Sequence, residues 1–142
     1  MSYDISLRDP VTGQTLQLDA PHHMRGGTYQ VGGTTDAHLN VTWNYARHYY
    51  RLFPTRPAVP EVDDNYHADG GMVGGIRSIY GLTGAQSIPV LQSVIDQLGD
   101  DTHPDYWEPT EGNAKRALVQ LKALAQMRPD GVWNGEIGRA SV

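Results

Sequence analysis

Residues 37–53, AHLNVTWNYARHYYRLF, decide the fold, because two hydrophobic periods compete within them. Apolar side chains at 39, 41, 43 and 45 alternate as in a β-strand, whereas those at 39, 43, 46, 50 and 53 step by four and three as in an α-helix. The β-branched residues Val41 and Thr42 disfavour a helix near its start. Since the helical period persists longer, the sequence predicts one helix over 37–53 that is stopped by Pro54.

Upstream of this segment the pattern is that of strands. The stretch YDISLRDPVTGQTLQL, residues 3–18, alternates apolar and polar residues on both sides of a Pro and Gly turn, which predicts a β-hairpin. TYQV, residues 28–31, predicts a short strand. Thr35 and Asp36 then offer an N-cap for the helix over 37–53.

Downstream of the segment, loops and helices alternate. Residues 54–71 contain three prolines and show no hydrophobic period, so they predict a loop. Three further helices are predicted: a short one over 72–80 closed by Gly81, one over 88–98 capped by Ser87, and an amphipathic one over 114–125.

The tail completes the predicted domain. It turns at Asp130 and Gly131, so that Val132 and Trp133 add a short strand or close the core. The sequence therefore predicts one compact α+β domain, with an N-terminal β-hairpin, a short strand and about four helices. Its three parts are a β-rich part over 1–34, a helical part over 35–128 and the tail over 129–142.

Composition narrows the classes of function. The chain has no cysteine, which excludes disulfides and Cys-based zinc sites. It has no run of about 18 apolar residues and no basic, apolar leader, so we expect a soluble, cytoplasmic protein with no membrane partner. A net charge of -5 argues against binding duplex DNA. Only two of the 11 basic residues are Lys, and arginines suit bidentate contacts with carboxylate or phosphate.

The glycine-rich stretch GGMVGGIRSIYGLTG, residues 70–84, raises the question of a phosphate-binding loop. Gly70 and Gly75 have the spacing of a P-loop, but the lysine is missing and polar residues stand where a buried strand is needed. The sequence therefore excludes a P-loop nucleotide triphosphatase. Two interpretations of the glycines remain open. They form a weaker anion-binding site at the start of a helix that has Arg77 in its first turns, or they only allow the chain to enter and leave that helix.

The predicted helix over 37–53 carries a polar stripe whose members follow one another at four, three and four residues: Asn40, Asn44, Arg47 and Arg51. Amides read the polar edge of a base and guanidiniums grip phosphate, while a neighbouring tyrosine, Tyr45, Tyr49 or Tyr50, supplies a ring for stacking. An ordinary solvated helix face shows the same pattern, so both interpretations remain open.

A third candidate lies in DYWEPTEGNAKR, residues 105–116, where aromatic residues precede a helix N-terminus. The aromatic, amide and basic side chains of this segment together indicate the cap of a pocket: Tyr106, Trp107, Asn113, Lys115 and Arg116. An aromatic plug that seals the helix end against the core is the alternative for Trp107.

Catalytic and metal-binding patterns are not found in the sequence. The six histidines form no H-x-x-x-H or H-E-x-x-H pattern, and no G-x-S-x-G elbow occurs. Paired acids such as Asp100 and Asp101 fall in predicted loops, where solvation is the ordinary state. The sequence therefore predicts neither an enzyme nor a bound metal or cofactor.

Several phrases resemble a group of small proteins of phages, prophages and mobile elements: GGTYQVGGTTDAHLNVTWNYARHYY (26–50), IRSIYGLTGAQSIPVLQ (76–92), DYWEPTEGNAKRAL (105–118) and MRPDGVWNG (127–135). The resemblance implies a bacterial host cell and a phage accessory protein that blunts host defence, by sequestering a nucleotide signal or by blocking a defence protein. Residues 117–135 are also similar to the helix and turn of peptidoglycan-binding modules, although the chain carries no export signal.

From these features we expect a non-enzymatic, homo-oligomeric protein that captures an anionic, nucleotide-like molecule, a sponge for a nucleotide-derived immune signal. The expected ligand-binding residues are Asn40, Asn44, Arg47, Arg51, Arg77, Tyr80, Trp107 and Asn113. The first alternative is an inhibitor that binds a host defence protein through an acidic, tyrosine-rich face such as PEVDDNYHAD or GDDTHPDYWE. An enzyme acting on nucleotides and a peptidoglycan-binding module are the remaining alternatives.

Overall fold

The main sheet is built around the N-terminal strand. In the computed structural model, which describes residues 2–24, 33–62 and 71–138, strand β1 (Ser2–Arg8) lies between two antiparallel neighbours. These are β4 (His38–Thr42) on one side and β7 (Val132–Gly138) on the other. The strand predicted at 28–31 and residues 63–70 of the predicted loop lie outside the described residues.

One face of this sheet forms a wall of the core. Tyr3, Ile5 and Leu7 of β1 alternate with polar residues, and all three are buried. Ile5 pairs with Leu39 on β4 and with Gly135 on β7. A period of two therefore gives the sheet one apolar face, against which the helices pack.

The predicted helix over 37–53 is wrong in its first half. Residues 38–42 form strand β4, a 3₁₀ turn follows at Trp43–Tyr45, and helix α1 covers Ala46–Leu52. Val41 and Thr42 lie in the ladder with β1, which holds them extended and pairs the backbone groups on the β1 side of β4 in place of helical hydrogen bonds. The strand period thus describes the first part of this segment and the helix period describes the part that follows.

The N-terminal hairpin forms only at its turn. Asp9 N–H donates to Gln14 O at 2.8 Å, and Arg8 and Thr15 make a single bridge. Beyond that point β2 (Gln17–His22) leaves β1 and pairs with β3 (Thr34–Asp36). Thr35 and Asp36 therefore lie in a strand, and their predicted role as a helix N-cap is wrong.

The segment from 56 to 81 contains short elements. β5 (Arg56–Pro57) pairs with β6 (Met72–Val73), and a 3₁₀ helix over Gly75–Ile79 replaces the longer helix predicted for 72–80. Gly81 closes it with a φ of +91°, a conformation that favours glycine, as predicted.

Two long helices complete the core. Helix α2 (Gly84–Ile95) begins with a capping box in which Thr83 accepts from Gln86 N–H, so the cap is Thr83 and the predicted Ser87 cap is wrong. Helix α3 (Glu111–Met127) packs on α2 along the apolar face predicted for it. The predicted α+β class is confirmed, with three α-helices and two 3₁₀ segments among the described residues.

Trp133 connects the sheet to α2. Its side chain is fully buried, and its indole N–H donates to the Ser87 hydroxyl at 2.7 Å. The hydroxyl in turn donates to Gly84 O at 2.8 Å. The predicted short strand at Val132 and Trp133 is confirmed as the start of β7. No helix in the described parts of the chain combines the length and apolar character that crossing a membrane requires.

The Trp133–Ser87 hydrogen bond generates a stability prediction. Ser87→Ala leaves a fully buried indole N–H without its acceptor, so we expect the free energy of unfolding to fall by about 2 kcal/mol in urea titrations. Ser93→Ala, on the exposed side of the same helix, is the matched control and should change it by less than about 0.5 kcal/mol. Equal losses in the two variants would contradict this role for Ser87.

The buried phenols predict a loss of stability in alkali. Burial is the main cause that raises the pKa of Tyr45 to about 12 and moves the pKa of Tyr3 and Tyr49 upward as well. An unfolded chain releases these protons near pH 10, whereas the folded chain still holds them. The stabilisation is therefore complete below pH 10 and is lost as the pH rises towards the folded pKa. Urea titrations should give a smaller free energy of unfolding at pH 11 than at pH 9, and tyrosinate absorbance should report the ionisation of the phenols. Equal free energies at the two pH values would contradict the raised pKa values.

Candidate functional site

A polar cavity of about 250 Å³ lies where three parts of the chain meet. Its lining comes from the end of β2, from the loop over 103–110 and from the exposed side of α3: His23, Pro104, Tyr106, Arg116 and Gln120. The loop directly precedes α3, whereas β2 is distant from both in sequence, so only the tertiary fold brings His23 to the other lining residues.

Helix α3 supplies a cation and an amide to the cavity. Arg116 and Gln120 are four residues apart and therefore lie on the same side of the helix, about 5–6 Å from each other at Cβ. In the described part of the chain Arg116 forms no ion pair, and one of its N–H groups donates to Asn113 Oδ1 at 3.2 Å. The Oε1 atom of Gln120 is buried and has no hydrogen-bond partner there. A ligand can satisfy both groups.

Asn113 holds the loop that forms one wall of the cavity. This side chain is only 1% exposed, and its amide nitrogen donates to Asp105 O at 3.0 Å and to Glu108 O at 3.1 Å. Its Oδ1 atom accepts from His103 N–H at 3.1 Å as well as from Arg116. Asn113 therefore fixes both the loop and the guanidinium.

The polar residues of α1 and its preceding turn hold the same loop from the other side. Asn44 Nδ2 donates to Trp107 O at 2.8 Å, and His48 Nε2 donates to Pro109 O at 2.8 Å. Arg47 reaches Pro109 O at 3.5 Å, at the limit of a hydrogen bond. In this structure these side chains contact protein carbonyls, so they position the cavity wall.

Aromatic rings border the cation. Tyr106 lines the cavity and packs edge-to-face on Trp107, with ring centroids 5.1 Å apart. Burial is the main cause that raises the pKa of Tyr45 to about 12, while the nearby Arg116 opposes the shift and Tyr106 adds to it. The phenol of Tyr45 thus stays protonated at neutral pH beside the Arg116 guanidinium.

A second cavity, of about 340 Å³, lies between β2 and the end of α3. Its lining is more apolar, and Arg128, the one cation among its described lining residues, already pairs with Asp130 at 2.8 Å and donates to Gln17 O at 2.9 Å. A neutralised cation attracts an anion less than the guanidinium of Arg116, so the first cavity is the better candidate.

The expected ligand-binding residues divide into three groups. Four of them lie in or contact the 103–110 loop: Asn44, Arg47, Trp107 and Asn113. Asn40 lies on β4, where its amide donates to Ser2 Oγ at 2.9 Å, so the predicted stripe does not include it. The remaining three lie elsewhere: Arg51 is exposed near the end of α1, Arg77 is part of the 3₁₀ helix, and Tyr80 is buried next to it.

The lining itself is only partly visible in the sequence. Tyr106 and Arg116 belong to the segment 105–116 that indicates a pocket cap, although neither is among the expected ligand-binding residues. His23, Pro104 and Gln120 carry no signal of their own, because nothing local to them predicts that β2 passes beside α3. Within the described residues no group of three or more His, Cys, Asp or Glu side chains is placed to hold a metal ion.

The contacts of Asn113 generate a stability prediction. Asn113→Ala removes a buried side chain that makes hydrogen bonds to three loop residues and to Arg116, so we expect the free energy of unfolding to fall by about 3 kcal/mol. Asn44→Ala, which removes one exposed hydrogen bond to the same loop, is the control and should cost under about 1 kcal/mol. Urea titration measures both, and hydrogen exchange at His103 N–H should accelerate in the first variant. Similar losses in the two variants would contradict a special role for Asn113.

Comparison with known proteins gives no match to this chain, whether among protein-family models, curated proteins or solved structures. The function is therefore inferred from the chemistry of the cavity lining and from the contacts that hold it in place.

Proposed function

We propose that this protein binds a small anionic molecule with a planar ring in the Arg116 cavity and holds it without chemical change. The observation that carries the proposal is a guanidinium with no ion pair in the described residues, held by Asn113 at the edge of a formed cavity. A planar guanidinium matches the oxygens of a phosphate or carboxylate and binds them through two parallel hydrogen bonds.

The other lining groups support a ligand with a ring. Tyr106 and Pro104 offer apolar surface to a flat face, and Gln120 offers an amide that pairs with either donors or acceptors. Pockets for drug-sized ligands measure roughly 300–1,000 Å³, so a cavity of about 250 Å³ fits one nucleotide unit better than an oligonucleotide.

The lining also favours capture over catalysis. Among the described residues the lining contains one imidazole, His23, but no carboxylate to orient that imidazole and no serine or threonine hydroxyl for it to activate. A binding role needs only complementarity, which the cation, ring and amide supply. We therefore propose a sequestering protein, in line with the sponge for a nucleotide-derived signal that the resemblance to phage accessory proteins implies.

Isothermal titration tests this proposal with inorganic phosphate, AMP, ADP-ribose and a cyclic dinucleotide as probes. We expect AMP or ADP-ribose to bind more tightly than phosphate alone, and Arg116→Gln to weaken binding at least about tenfold because a charge-assisted contact is lost. Lys115→Gln is the matched control, because Lys115 is adjacent to Arg116 on α3 but pairs with Asp100 at 2.7 Å. The affinity of this variant for the probes should equal that of the wild type.

Mass spectrometry of the recovered ligand then separates capture from turnover. An unchanged mass after prolonged incubation is expected. No heat with any of the four probes, together with no increase in the unfolding temperature, would overturn the proposed binding, and a changed ligand mass would overturn the absence of catalysis.

A further inference from the structure

The surface around Trp107 combines an exposed ring with charges of both signs. Trp107 is 48% exposed, although tryptophan is among the residue types that are most often largely buried. On one side of it the backbone contact to Asn44 brings it next to α1, which exposes Arg47 and Arg51. We call Trp107, these two arginines and the neighbouring acids Asp105 and Glu108 the Trp107 face.

The acids of the Trp107 face lie within two residues of the tryptophan in the same loop. Asp105 is 52% exposed and its carboxylate is 4.0 Å from His103, while Glu108 is half-buried. Within the described residues, neither Arg47 nor Arg51 pairs with a carboxylate. The face thus presents uncompensated positive charge on one side of an exposed indole and negative charge close to it.

We propose that the Trp107 face binds the same face of a second copy of this chain, related by a two-fold axis. In such an interface each patch must complement itself, and a basic strip beside an acidic one meets this condition when the partner is rotated by 180°. An exposed tryptophan flanked by arginines also has the composition of residues that dominate binding energy at interfaces.

The charges favour a second copy over other partners. A nucleic acid or an acidic protein would be attracted by Arg47 and Arg51 but repelled by Asp105 and Glu108. A second copy brings opposite charges to both halves of the face.

Sedimentation velocity of the full chain over a concentration series tests this proposal. We expect the mass of a dimer for the wild type, and dissociation to monomers for Trp107→Ala and for the double variant Arg47→Glu, Arg51→Glu. Val119→Ala is the matched control, because Val119 is 46% exposed on α3 and is not part of the Trp107 face, and this variant should remain dimeric. Far-ultraviolet circular dichroism confirms that each variant is folded.

A charge exchange tests the pairing itself. Adding Asp105→Arg and Glu108→Arg to the double arginine variant reverses both halves of the face, and we expect this quadruple variant to recover the dimer. A monomeric wild type at every concentration, a dimer that survives Trp107→Ala, or a quadruple variant that stays monomeric would each overturn the proposal.

Discussion

The antiparallel pairing of β4 with β1 is the constraint on which the rest of this structure depends. It holds residues 38–42 in an extended conformation, in which the backbone groups on the β1 side are paired across the ladder and no helix can form. Leu39 and Val41 then point to the core with Ile5 of β1, and the chain can begin its helix only after the 3₁₀ turn at 43–45. The position of α1 follows from where this strand ends.

That position determines what the polar residues of α1 can contact. With the helix starting at Ala46, Asn44 and His48 face the loop over 103–110 and donate to its carbonyls. Asn113 binds the same loop from the start of α3. The wall of the cavity is therefore fixed from two directions, which keeps Tyr106 and Arg116 in place before any ligand arrives. Preorganisation of this kind lowers the ordering cost of binding.

Local sequence patterns predicted the elements that local energetics control. The amphipathic face of α3, the end of the 3₁₀ helix at Gly81 and the strand at Val132 and Trp133 all follow from spacing or from backbone conformation. The N-cap of α2 lies four residues before the predicted one, because Thr83 forms a capping box with Gln86, whereas the Ser87 hydroxyl lies inside the helix and accepts from the Trp133 indole.

The sequence by itself determined the α+β class, the two long helices and the importance of the segment 105–116, because these depend on periodicity and side-chain chemistry within short windows. Only the tertiary structure decided that residues 38–42 form a strand, that Asn44 and His48 hold the loop over 103–110, and that His23 and Gln120 line one cavity with Arg116. The physical reason is that each of these outcomes depends on a hydrogen bond or a contact between residues far apart in the chain, and a local pattern carries no information about which distant group will be the partner.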